Sequence, residues 1–303
     1  MVKIIAFIIS VLLFPGAVAL SQDADSLNTT DGAIRSSNNH FVYTKETNFT
    51  VRSYCRLLAT DLLGEVTGPF HTSKREWIRV GEFAILESSL VMADKSIQSS
   101  VTTFTNPNPG VKTVSKIATN FGSSYEIATL AAFEAYGSIF KNDKLKTVTL
   151  LATQSLITSS VMVNVIKAVI GRKRPSAFDE LHEDNLSFLG PGVNSVSSSF
   201  PSGHSTAAFS VATVFAEEYK DNVAIPIISY SAATLVGLSR ITENAHWASD
   251  VLAGVALGYV TGKLAVRNYH RYMRSKSEKQ KTALLFYLGY NNGILMPSMI
   301  YRF

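Results

Sequence analysis

The 303 residues read as an all-α helical bundle that ends in a short β-hairpin. Apolar residues make up 46% and charged residues 17%, below the ~25% charge of an ordinary globular chain. That balance excludes a disordered chain and calls for a large buried core. The apolar stretches are long and Ala-rich and lack period-two alternation, which favours helix over strand. The final stretch differs. Thr282 to Tyr290 and Ile294 to Phe303 flank Asn291-Asn292-Gly293, the pattern of a hairpin with an Asn-Gly turn.

Each segment follows from its composition. Lys3 precedes the uncharged run Ile4 to Phe14 and then Pro15-Gly16-Ala17-Val18-Ala19. Residues 1–19 therefore read as a secretory signal peptide cut after Ala19, which would export the chain to the periplasm. Residues 20–50, rich in Ser, Asn, Asp and Thr, read as a loose N-terminal arm. Residues 51–124 form an N-terminal helical segment. Apolar residues recur there at helical spacing as far as Ile97, followed by a polar stretch broken at Asn106-Pro107-Asn108-Pro109-Gly110. A catalytic core at 125–270 holds five helix candidates, at 125–140, 147–170, 203–219, 223–239 and 249–266. The loop 171–202 is expected to cover a site rather than to enter the core. Residues 271–303 read as a basic linker and the hairpin, packed on the helical core.

Cys55 is the single cysteine, so there is no internal disulfide and no cysteine-based metal cluster. Lys and Arg number 28 against 23 Asp and Glu, a mild excess that favours anionic partners. No basic stripe interleaved with aromatics points to nucleic acid. Lys141, Lys144, Lys146 and the cations between Arg267 and Lys281 fall on the side opposite loops 171–202 and 239–249, as the positive-inside rule predicts for a multi-span protein. Against spanning, only Thr147 to Ile166 reaches the ~20 uncharged residues a span needs, and it carries Gln154 and Asn164. The expectation is a soluble or peripheral periplasmic protein rather than an integral one, with membrane association and oligomeric state left open.

Three clusters carry chemistry: Lys167 with Arg174-Pro175, then Pro201-Ser202-Gly203-His204, then Ser239-Arg240 with His246 and Asp250. Singly, each has a bland explanation: a basic helix end, an N-cap, an i,i+4 hydrogen bond. Together they form an ordered phosphate site. A phosphate monoester carries nearly two charges and three acceptor oxygens, so Arg174 and Arg240 suit as forked ligands and Lys167 as a point charge. Ser202 and Gly203 open a helix whose amides can face an anion, and glycine permits close approach. His246 and Asp250, four apart, share one face of a helix. Asp250 would orient the ring, and His246 would attack phosphorus to give a phosphohistidine. His204 would protonate the leaving oxygen and then activate water, with cations stabilising the transition state and no metal or cofactor required.

The pattern K-x6-R-P, P-S-G-H and S-R-x5-H-x3-D resembles the type 2 phosphatidic acid phosphatase superfamily, and every specified position matches across about residues 125–266. The resemblance implies a helical bundle of the type 2 phosphatidic acid phosphatase and acid phosphatase kind, metal-independent phosphate ester hydrolysis and a phosphohistidine at His246. The leading expectation is hydrolysis of lipid-linked phosphates or pyrophosphates. The alternatives are a soluble acid phosphatase of broad specificity, acting on small phosphate esters, a vanadium-dependent haloperoxidase, and a non-catalytic binding protein. Gly254, Gly258 and Gly262 add a smooth ridge for close helix packing, or else a dimer motif.

Overall fold

The computed structural model describes residues 43, 49–68, 73–177, 188, 190–191, 198–281, 284–291 and 294–301, with side chains as far as residue 276. The expected signal peptide, nearly all of the N-terminal arm and the Asn292-Gly293 turn lie outside the described residues. Among the described residues the helices are α1 (Val51–Thr67), α2 (Lys74–Thr105), α3 (Pro109–Asn120), α4 (Ser124–Ile139), α5 (Asp143–Ile170), α6 (Gly203–Glu218), α7 (Ala224–Thr242) and α8 (Ala248–Lys281). A 3-10 turn at Pro175–Ala177 follows α5.

Local chemistry sets the boundaries. Thr50 and Ser53 form a reciprocal capping box at the start of α1 (3.2 and 2.9 Å). Glu76 reaches back to the Ser73 amide at 2.6 Å to start α2. The stretch expected to break near Pro109 instead holds α3. Pro109 occupies the first turn, where its missing N–H has no intrahelical partner to lose, so it starts a helix there. Asn142 caps α5 through the Leu145 amide at 3.0 Å. Gly171 ends α5 with φ 56° and donates its amide to the Lys167 carbonyl, the left-handed stop that glycine makes without strain. Helix α8 continues to Lys281, so the basic residues read as a linker are helical.

The core is built on α5, α6, α7 and α8. Met162, Val163, Ile166 and Ile170 of α5 cluster with Phe200, Ala253 and Leu257. Ala208, Phe209 and Ala212 of α6 meet Ala233 and Val236 of α7. Helix α8 approaches α6 most closely along its glycine ridge. A Cβ at Gly254 would lie 2.7 Å from the Ser202 carbonyl, and one at Gly262 would lie 2.7 Å from that of Ser210. At Gly258 it would lie 2.8 Å from the Ser210 amide. The ridge is an internal seam of backbone on backbone.

The expectation of a soluble or peripheral protein is corrected. Three helices are long and apolar enough to cross a membrane: Asp143–Ile170, Ala224–Thr242 and the Ala248–Lys276 stretch of α8. They point to an integral membrane protein. Counting uncharged residues misled because several polar residues of α5 face inward. Thr147, Gln154, Ser155 and Thr158 are fully buried, whereas Ile157, Val161 and Val165 are exposed. Ile227, Ile228, Leu235 and Leu238 on α7 are likewise exposed. The outward faces are mainly apolar, and the exposed Ser160, Asn164 and Thr234 donate to backbone carbonyls one turn earlier, as a lipid solvent requires.

The chain divides into two compact units, Met1–Val266 and Arg267–Phe303. In the second, β1 (Leu284–Asn291) and β2 (Ile294–Tyr301) pair antiparallel, with Asn291 opposite Ile294 and Leu284 opposite Tyr301. That is the hairpin expected from the sequence.

Candidate active site

The sequence-predicted residues meet at one end of the bundle, where α5 and α7 end and α6 and α8 begin. Lys167 lies in the last turn of α5, Arg174 just beyond it, and Arg240 in the last turn of α7. His204, in the first turn of α6, shows their convergence. Burial pushes its pKa down first, and the nearby Arg240, His246, Lys167 and Arg174 push it further, to about 4. His204 is thus held neutral at neutral pH, among cations.

Helix α6 carries a correction. The Ser202 amide donates to the Asp250 carbonyl at 2.9 Å, and its side chain accepts from Ser205 Oγ at 2.9 Å. Its N–H is committed inside the protein, so the first-turn amides that follow, Gly203 and His204, are the ones left to meet an anion. A Cβ on Gly203 would touch only Val163, at 3.7 Å, an ordinary contact. The surrounding protein does not demand glycine there.

His246 and Asp250 are neighbours, but not on one helix as their spacing suggested. Helix α8 starts at Ala248, so His246 stands before it. Asp250 Oδ2 accepts the Trp247 amide at 2.9 Å, capping the helix from within, and this brings His246 Nδ1 to 3.5 Å. That distance is long for a hydrogen bond and typical of a catalytic contact before substrate arrives. His246 is 2% exposed. Burial is the main influence lowering its pKa, opposed by the hydrogen bond and charge of Asp250, so the ring is neutral at neutral pH.

Several partners escaped sequence reading. Arg172 Nη1 donates to Asp250 Oδ1 at 2.6 Å and to Ser249 Oγ at 2.7 Å. Its Nη2 donates to Asp94 Oδ2 on α2 at 2.7 Å. Its guanidinium stacks between Phe188, at 4.9 Å, and Trp247, at 5.5 Å. Ser199 Oγ donates to Asp250 Oδ2 and lies 3.4 Å from His246 Nδ1. The described ends of the loop expected to cover the site, Arg172 and Ser198 to Phe200, are therefore buried within it. Arg240 Nη1 is held by Thr119 Oγ1 at 2.9 Å and Glu243 Oε2 at 2.8 Å, and Ser115 of α3 meets Thr242 at 2.6 Å. The Arg172 signal was visible in the cationic run 172–174. Asp94, 78 residues from Arg172, had no local signal. Among the described residues no group of three or more His, Cys, Asp and Glu is arranged to hold a metal ion.

Residues 148–274 match the model of the PAP2 superfamily. Over 104 residues the chain is 39% identical to lipid A 1-phosphatase of Porphyromonas gingivalis, covering 34% of this chain and 20% of that protein. It is 33% identical over 109 residues to phosphatidylglycerophosphatase B of Bacillus subtilis, covering 33% of this chain and 48% of that protein. An acid phosphatase of Zymomonas mobilis is 37% identical over 90 residues, 28% of this chain and 33% of that protein. The chain thus spans less than half the length of these relatives. The crystal structure of a transmembrane PAP2 type phosphatidylglycerolphosphate phosphatase from Bacillus subtilis covers 75% of this chain and 96% of that one. The two are 23% identical and superimpose with a TM-score of 0.45.

Proposed function

We propose that this protein is a membrane phosphatase, since residues 148–274 match the model of the PAP2 superfamily. On this reading it hydrolyses lipid-linked phosphate or pyrophosphate esters through a phosphohistidine at His246. One observation carries the reading: a buried histidine beside a buried carboxylate, with Lys167, Arg174 and Arg240 at the same end of helices whose outer faces are mainly apolar. The lipid A 1-phosphatase and phosphatidylglycerophosphatase B similarities favour lipid esters over soluble ones.

The three cations and the amides of Gly203 and His204 bind the phosphate oxygens. Asp250 faces Nδ1 of His246, which leaves Nε2 to attack phosphorus. The bond from phosphorus to the leaving oxygen breaks as His204 gives that oxygen a proton. Water then attacks phosphorus, His204 takes its proton, the phosphorus–nitrogen bond breaks, and His246 returns to its starting state. Burial and the surrounding cations hold His204 near 4, so it acquires its proton as the phosphate enters, when the incoming negative charge offsets those cations. Lys141, Lys144 and Lys146 lie at the far end of α5 from the site. Under the positive-inside rule this turns the site away from the cytoplasm.

The test is phosphate release in EDTA from lipid phosphates, lipid pyrophosphates and soluble monoesters, with His246→Ala as blank. The expected result is preference for a lipid and loss of about 10⁴-fold or more in the variant. Activity surviving in His246→Ala removes the mechanism, and equal turnover of soluble monoesters removes the lipid assignment.

A further inference from the structure

Asp94 lies on α2, outside residues 148–274, yet it is only 3% exposed and reaches the centre of the site. Its Oδ2 accepts from Arg172 Nη2 and Ser249 Oγ, and its Oδ1 accepts the Ser249 amide at 3.0 Å. Arg172 is thereby split between two carboxylates, Nη1 on Asp250 and Nη2 on Asp94. A guanidinium facing a single carboxylate closes on both of its oxygens as a fork. Splitting the fork confines Arg172 to Oδ1 of Asp250. Oδ2 is left to Ser199, the Trp247 amide and His246. The bonds to Ser249 also fix the first turn of α8, on which Asp250 rides.

We propose that Asp94 is a positioning residue for the reaction. It holds one arm of Arg172 away from Asp250, so that the second oxygen of Asp250 stays free to orient His246. The inference rests on the reading of His246 as nucleophile. It brings an N-terminal helix, outside the matched domain, into the catalytic centre. Without Asp94, Nη2 of Arg172 is free to close on Oδ2 and compete with the imidazole. The loss then falls on attack at phosphorus, because Lys167, Arg174 and Arg240 still bind the substrate.

The experiment uses the full chain in detergent or vesicles, comparing wild type, Asp94→Asn, Asp94→Asn with Arg172→Lys, and His246→Ala. Asp94→Asn is expected to lower kcat by about 10- to 100-fold, the size usual for a partner that orients a reacting group through another side chain. KM and competitive inhibition by inorganic phosphate are expected to stay within about threefold, since ground-state binding is untouched. Lysine is a point charge and cannot fork, so adding Arg172→Lys restores about tenfold of the lost kcat. Wild-type kcat in Asp94→Asn overturns the proposal. So does phosphate inhibition that weakens in step with kcat, or a double variant no better than the single one.

If Asp94→Asn yields no folded protein, the double variant is measured directly. A kcat within about tenfold of wild type supports the proposal, and a loss beyond 100-fold with phosphate inhibition intact overturns it. Activity in His246→Ala would instead overturn the nucleophile reading, which separates the two failures.

Discussion

Among the described residues carboxylates are buried at several points, and two of these clusters are built differently. At the site end, both oxygens of Asp94 and both of Asp250 accept hydrogen bonds, and Arg172 lies between the two side chains. Between α1 and α5, Asp61 accepts from Gln154 Nε2 at 2.5 Å. Beside it, neither oxygen of Glu65 makes a hydrogen bond among the described residues, nor do Gln154 Oε1 and Ser155 Oγ. In the first cluster Arg172 pairs with both carboxylates. In the second, burial pushes Glu65 up to about 8, so it is neutral at neutral pH. A fully bonded buried network fixes geometry, while a half-bonded one is a reservoir of strain. The fixed network lies where direction matters, although Glu87 beside it also leaves both oxygens without a hydrogen bond among the described residues and is pushed up to about 8, chiefly by burial.

The contrast breaks most readily at Arg172. Arg172→Met leaves Asp94 and Asp250 facing each other without a cation, and is expected to cost about 3–5 kcal/mol. Thermal unfolding in detergent reads this, and an unchanged midpoint would end the distinction. Next is Gly258→Leu, which drives a side chain into the backbone of α6. Its cost is about 3 kcal/mol, the upper end for overpacking, read as loss of folded yield; a normally folded, soluble variant would show that the seam is looser than described. Ser199→Ala removes one donor to Asp250 and is expected to cost about 2 kcal/mol, as for a hydrogen bond to a charged group, with KM unchanged.

The smallest effect sharpens the other side. The carboxyl of Glu65 has an ordinary value of 4.5 and sits at about 8 when folded. The folded state therefore holds a proton that the unfolded state releases. Stability falls as pH rises through that window, and little is lost below 4.5. Glu65→Gln is expected to leave the midpoint unchanged at pH 4 and raise it at pH 8, flattening the profile. A midpoint that drops at pH 8 would mean Glu65 has a partner that ionises it.

Much of the chemistry was legible because it is short-range in sequence. The Ser-Gly-His run and the spacings from Lys167 to Arg174 and from Arg240 to Asp250 each fall within one helix end, and the fold brings those ends together. Two things were not legible. Asp94 acts across 155 residues on Ser249, and no local pattern distinguishes it from any acidic residue on an exposed face. The lipid-facing surface was hidden for a different reason. Along α5 buried Gln154 and Thr158 alternate with exposed Ile157 and Val161, and the polar residues were weighed against spanning because the sequence does not say which side they face. The His246–Asp250 geometry was half legible. Their nearness followed from spacing, but where α8 starts was decided by Asp250 capping Trp247.

The glycine seam between α6 and α8 also bears on how this sequence can change over time. Most buried positions accept drift, because a neighbouring side chain can shrink or swing aside when one grows. Along this seam the neighbours of Gly254, Gly258 and Gly262 include the main chain of Ser202, Thr206 and Ser210, which no compensating substitution can shorten. Those three positions admit hydrogen and nothing larger. Descendants of this chain are therefore free to vary their lipid-facing residues widely while this line of three stays fixed.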